Sequence, residues 1–271
     1  MGEEASKTRL VLLFGLLVAV LAGVPSEARA EIQPHRALYS LKMKTVTPGS
    51  GVTGIEGFMR FAMERTCDGW ILGQDINISI NVAIGETIND HYRFASFEAL
   101  SGNKYDFVIT DRSDSGIENI RGNANKKASG GVASFRDPEK KTFPLGRSTL
   151  FPIEHMALLI EEAKTKKHQV SSMVFDGTKV GGAQRVVTFV GNPKKIKKEL
   201  VEKLGSLVAR PGWTMRLAYF SGDRGDGAPE VEVEGYQLDN GVSPTILVDY
   251  GAFTALMEMT SVEAIAQPDC S

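Results

Sequence analysis

The chain has 271 residues, 31 basic and 33 acidic side chains, two cysteines and a net charge of −2. That balance excludes the basic footprint of a nucleic-acid-binding protein. The length suffices for one sizeable core.

Residues 1–30 read as a secretory signal peptide. Lys7 and Arg9 precede an apolar run over residues 10–24, and Ala28-Arg29-Ala30 forms a small-x-small cleavage site. The run is shorter than the about 20 residues needed to span a bilayer. No cysteine follows it to carry a lipid, and no later stretch is apolar enough to cross a membrane. The expectation is a single soluble domain over residues 31–271, outside the inner membrane, with no transmembrane segment after cleavage.

Most of that domain alternates with period two between turn residues, the pattern of antiparallel strands. "RALYSLKMKTV" places Ala37, Tyr39, Leu41 and Met43 on one side, "PGSG" turns, and "VTGIEGFMRFAMERT" runs back. "GWILGQDINISINVAI", "HYRFASFEAL", "KYDFVITDR", "IENIRGNA" and "GGVASFR" continue the habit. "SSMVFDGT", "GAQRVVTFV", "WTMRLAYF", "EVEVEGYQL" and "TILVDYGAFTALMEMTSVEAI" resume it after residue 170.

Two helices interrupt. Residues 151–168 begin with Pro152 suited to a first turn, Ser148 or Thr149 as cap and Glu154 where the helix dipole favours an acid. Residues 192–208 carry Ile196, Leu200, Leu204 and Leu207 at helical spacing, with lysines on the other face. "KKIKKE" is read as the solvated side of that helix, an anionic membrane surface being the alternative. The fold class is therefore mainly β, a long sheet that curls to hide its edges, with two helices to plug or cover it.

Chemistry is sparse. The four histidines, His35, His91, His155 and His168, show no metal-ligand spacing. Gly-x-Ser-x-Gly is absent. "DRSDSG" at 111–116 and "GDRGDG" at 222–227 gather carboxylates but lack the full calcium loop, so they read as turns. No cofactor or metal is implied. His155 at a helix start, beside Glu154, is the one acid–base candidate. Phe58, Phe61, Met63, Phe94, Phe97 and Phe107 would line the interior if the curled sheet held a ligand. Export gives the two cysteines a compartment in which Cys67 and Cys270 can pair, unpaired structural thiols being the alternative. The absence of Cys-x-x-Cys speaks against a redox role.

"HRALYSLKM", "TCDGW", "TLFPIEHM" followed by "VFDGT", and "RLAYF" with "LDNGVSPTILVDYGAFT" and a final cysteine occur in that order along nearly the whole exported chain. In this the chain resembles the EipB family of cell-envelope integrity proteins from Gram-negative bacteria. The resemblance implies a spiral-like broken β-barrel closed by one disulfide, Cys67–Cys270 here, and a place in the periplasm. It brings no catalytic residues. The expected function is non-enzymatic support of the envelope under stress through contacts with periplasmic proteins. The alternative is a carrier that binds a lipid or cell-wall component near His155, Glu154, Phe58, Phe61 and Phe97. A hydrolase using His155 and Glu154 is the least favoured reading.

Overall fold

The computed structural model describes residues 31–220 and 227–270. Residues 1–30, read as a signal peptide, and most of "GDRGDG" lie outside the described residues. The first strands are β1 (His35–Val46), β2 (Val52–Arg65), β3 (Gly69–Val82), β4 (Ile88–Ala99), β5 (Lys104–Ser113), β6 (Gly116–Lys127), β7 (Gly130–Asp137) and β8 (Lys141–Leu145). A short β9 (Thr149–Leu150) leads into helix α1 (Pro152–Lys164). Then come β10 (Gln169–Val174), β11 (Gln184–Lys195), helix α2 (Lys198–Leu204), a 3-10 turn at Ser206–Val208, β12 (Pro211–Phe220), β13 (Val231–Leu238), β14 (Thr245–Asp249) and β15 (Phe253–Ala264).

All strands join one sheet in the order β8-β7-β6-β5-β4-β3-β2-β1-β15-β14-β13-β12-β11-β10-β9. Every neighbouring pair is antiparallel except β9 with β10. The chain starts in the middle of the sheet and builds hairpin by hairpin to one edge at β8. It then crosses to the opposite edge at β9 and returns. Leu145 and Thr149 end on opposite edges yet are four residues apart in sequence, so they lie within ~14 Å of each other. The sheet must therefore curl until its edges nearly meet. The structure is the nearly closed, broken barrel expected from the sequence.

Alternation decides which side faces in. In β1, His35, Ala37, Tyr39 and Leu41 are buried, whereas Arg36 and Leu38 are exposed. Register carries this parity across the sheet: Phe61 faces Ala37, and Met59 faces Tyr39. An aromatic cluster fills the inner face of β5 and β7 and meets Phe151 and Phe175 beside β9 and β10. Tyr105 stacks on Phe151 with ring centroids 5.1 Å apart, and Phe107 meets Phe135 and Phe175 edge to face at 5.3 Å and 5.6 Å. Gly177 is required here. Its φ is +72°, and a Cβ would meet the Phe107 ring at 2.6 Å.

α1 fills the barrel. Its buried residues, Ile153, His155, Ala157, Leu159, Ile160 and Ala163, take up a little over half of its circumference, and Glu161 and Lys164 pair on the remaining side. The buried side packs with Met63, Val170, Val190, Trp213 and Met215 from β2, β10, β11 and β12.

The second helix differs from the expectation over residues 192–208. Pro193, Lys194 and Lys195 extend β11 and pair with Trp213, Gly212 and Pro211. Only Lys198–Leu204 is helical. Strand pairing takes the first residues, and Gly205, at φ +82°, ends the helix after Leu204. α2 lies beside β15. Its Leu204, with Val208, packs against Leu238 and Val242.

Cys67 and Cys270 form the disulfide, with Cα atoms 5.5 Å apart and a separation of 203 positions in sequence. Cys67 sits in the β2–β3 turn. The bond ties the tail after β15 across β1 to that turn, so it secures the seam where the first and last strands meet. The hydrogen bond from Ile265 N to Pro34 O, at 2.9 Å, lies on the same seam.

Candidate functional site

The site begins with the start of α1. Neither Ser148 nor Thr149 caps this helix. Phe151 takes the cap position with extended backbone, and the acceptor comes from another strand. Glu98, at the end of β4, accepts from Ile153 N through Oε2 and from Glu154 N through Oε1, both at 2.8 Å. Glu98 is only 4% exposed. Burial pushes its carboxyl up to about 7, while the two backbone donors pull the other way.

Glu154 is held in the same cluster. Its Oε2 accepts from Lys126 Nζ at 2.9 Å. Lys126 also donates to Thr149 O at 2.6 Å and lies 4.3 Å over the Phe151 ring. The pairing of His155 with Glu154 considered from sequence is not formed. One residue step turns a helix by about 100°, so Glu154 faces Lys126 and His155 faces the interior.

There His155 borders a cavity of about 240 Å³ between α1 and the inner faces of β12 and β13. Its other walls are largely apolar, with Met156, Leu159, Met215 and Leu217 among them. Of the polar groups at its rim, Ser243, Gln237 and Asp176 are engaged, while the Tyr219 hydroxyl makes no hydrogen bond among the described residues. Ser243 Oγ donates to Gln237 Oε1 at 2.8 Å, and Asp176 Oδ1 accepts from Thr178 N and Oγ1. His155 Nε2 is buried with no hydrogen-bond partner among the described residues. Burial lowers the imidazole pKa to about 4, so the ring is neutral at ordinary pH. A neutral imidazole can offer its Nε2 as donor or acceptor to one polar group. Gly235 of β13 leaves room opposite.

The aromatic candidates divide between the two faces. Phe61 points inward, with its ring 5.2 Å from that of His35, and packs on the core. Met63, Phe94 and Phe107 are buried core residues. Phe58 and Phe97 are on the outer face, where Arg60 lies 4.9 Å over Phe58 and Lys104 5.7 Å over Phe97. None of the six borders the His155 cavity. A wider outer depression of about 670 Å³ lies around Gly73. Its Arg36 pairs with Glu263 at 2.6 Å, and its Arg93 faces Asp75 at 3.6 Å, so these charges are already matched.

Glu98, Lys126, Gly235 and Gln237 were not singled out from the sequence. For Glu98 a signal existed: it shares the inward parity of Phe94 and Ser96, and a carboxylate on the core face of a strand needs partners. The cavity walls join residues far apart in sequence and had no such mark.

A curled antiparallel sheet around an internal helix, stapled by one disulfide and leaving a small apolar cavity, defines a β-barrel-like protein. The chain belongs to the EipB-like family, whose sequence pattern matches residues 26–266. It is 26% identical over 243 residues to the cell envelope integrity protein EipB of Brucella abortus, covering 87% of this chain and 86% of that protein. The crystal structure of a β-barrel-like protein with a domain of unknown function, also from Brucella abortus, superposes with a TM-score of 0.82 at 21% identity. The match covers 88% of this chain and all of that one. No helix among the described residues is long and apolar enough to cross a membrane.

Proposed function

We propose that this chain is a non-enzymatic periplasmic protein that supports cell-envelope integrity by holding the acyl chain of an envelope lipid in the cavity against α1. The single observation that carries this reading is His155 Nε2, buried and unpartnered at the edge of an apolar space. A polar atom taken from water without a partner is costly. A ligand with an apolar chain and one polar end repairs that cost. The cavity is below the ~300 Å³ typical of drug-sized sites, so it suits one chain and not a whole lipid. The envelope role is supported by the name of the relative at 26% identity. The periplasm is supported by the signal-peptide pattern of residues 1–30.

The alternative, envelope support through protein contacts alone, needs no ligand. Gly235→Leu separates the two. A Cβ at Gly235 meets nothing closer than Thr245 O at 3.6 Å, so a larger side chain can enter the cavity without displacing the backbone. A deletion strain should become sensitive to detergent and to cell-wall antibiotics, wild-type protein should restore resistance, and Gly235→Leu should not. Unchanged sensitivity of the deletion strain rejects the envelope role. Full rescue by a stably expressed Gly235→Leu rejects the cavity.

A further inference from the structure

The α2 segment gathers positive charge that its ion pairs among the described residues answer only in part. Residues 194–203 hold five lysines and two glutamates, three net positive charges in a chain whose total is −2. All five lysines are exposed. The short helix does not spread them along one long solvated face. Lys194 and Lys195 end β11, Lys197 precedes α2, and Lys203 lies in its last turn. These four border one cleft of about 580 Å³ between α2 and the outer face of β14 and β15. Tyr236 fixes the strand end there by donating its hydroxyl to Lys194 O.

The nearby acids are largely used. Glu258 pairs with Lys42 at 2.5 Å and Glu202 with Lys198 at 3.5 Å. Glu199 remains at the cleft. Lys194, Lys195, Lys197 and Lys203 have no ion pair among the described residues. Half-buried Ile196 and Leu200 lie between them.

We propose that this cleft docks the protein on an anionic phospholipid bilayer. Lysine ammoniums are mobile point charges on long stems, suited to a diffuse array of phosphates and not to a fixed bidentate partner. Protein interfaces are depleted in lysine and enriched in arginine and aromatic residues. Residues 194–203 contain neither arginine nor an aromatic residue. Apolar side chains beneath a basic rim match the depth profile of a membrane surface. This reading is independent of the His155 cavity.

The test uses the exported chain from Glu31 and sedimentation with vesicles of phosphatidylcholine, with and without phosphatidylglycerol. The protein should bind the anionic vesicles and not the neutral ones, and added salt should release it, as screening requires. Replacing Lys194, Lys195, Lys197 and Lys203 together by glutamine should weaken binding by about tenfold or more. The same four positions as arginine should retain it, with matching circular dichroism and melting for all three proteins. Equal binding of wild type and the glutamine variant to anionic vesicles overturns the proposal. So does equal binding to both vesicle types, or no vesicle binding. Binding of poly-glutamate without vesicle binding would assign the cleft to an acidic polypeptide and also overturns it. Saturable binding of inorganic phosphate that displaces the vesicles would make it a single-anion site, with the same consequence.

Discussion

Glu98 does for α1 what no residue next to the helix does. Its carboxylate takes two backbone donors that would otherwise end unsatisfied inside the barrel. Glu98→Ala should therefore cost about 2 kcal/mol or more in urea unfolding, the upper end for a helix cap. A loss within measurement error would mean that water replaces the carboxylate and that α1 needs no such anchor. His155 makes a different prediction. Its folded pKa is about 4 against an ordinary 6.5. Below pH 6.5 the unfolded chain takes up a proton that the native cavity refuses, so stability present above that value is lost as pH falls towards 4. Integrated over the shift, the loss is about 3 kcal/mol. Glu98, with its carboxyl pushed up, works in the opposite direction over part of this range, and comparison with a His155 variant cancels it. Between pH 7 and pH 4 the stability gap between wild type and His155→Leu should move by about 3 kcal/mol in favour of the variant. A gap that stays constant would show that the imidazole reaches water in the native state.

Helix α1 was legible in the sequence because Pro152, the apolar positions and the terminal lysines agree on one element. Its cap was not, since the acceptor comes from β4, more than fifty residues earlier. α2 shows the opposite failure. Ile196, Leu200, Leu204 and Leu207 have helical spacing, yet β12 claims Lys194 and Lys195 as strand, and Gly205 stops the helix. Local periodicity lost to sheet pairing, which a single sequence does not reveal. The strands were read well where one face is buried and the other wet, as in β1 and β5, because alternation then has a physical cause. Parity within a strand was readable, but which parity faces in was not read for every strand. Hence Phe58 and Phe97 were grouped with Phe61 although they lie on the outer face. An element-scale check follows for the aromatic cluster on the inner face of β5 and β7. Gly177→Ala places a methyl group against the Phe107 ring in a left-handed backbone position. It should lower stability by about 1–3 kcal/mol in chemical denaturation. A neutral result would show that Phe107 and the loop can shift at no cost.

The described residues form a ribbon whose two free edges are adjacent in sequence and whose first and last strands pair mid-sheet. That arrangement gives the disulfide its place. It joins the tail to the β2–β3 turn over 203 residues, a closure worth on the order of 5 kcal/mol in the chain-entropy model. Cys67→Ser and Cys270→Ser should lower the melting temperature equally, and the double variant should melt with them. Unequal effects would mean that one cysteine contributes through packing and not through the bond. The pairing of β1 with β15 runs along the whole seam, so the reduced protein should keep its sheet and lose stability first at the tail.

The central claim is that the space against α1 is a ligand site and not a packing defect. The most direct measurement is mass spectrometry of the organic extract from wild-type and Gly235→Leu protein purified from cells. An acyl-chain lipid in near-stoichiometric amount with wild type, absent from the variant, is the expected result. A clean wild-type extract, or the same lipid carried equally by both proteins, would contradict the account.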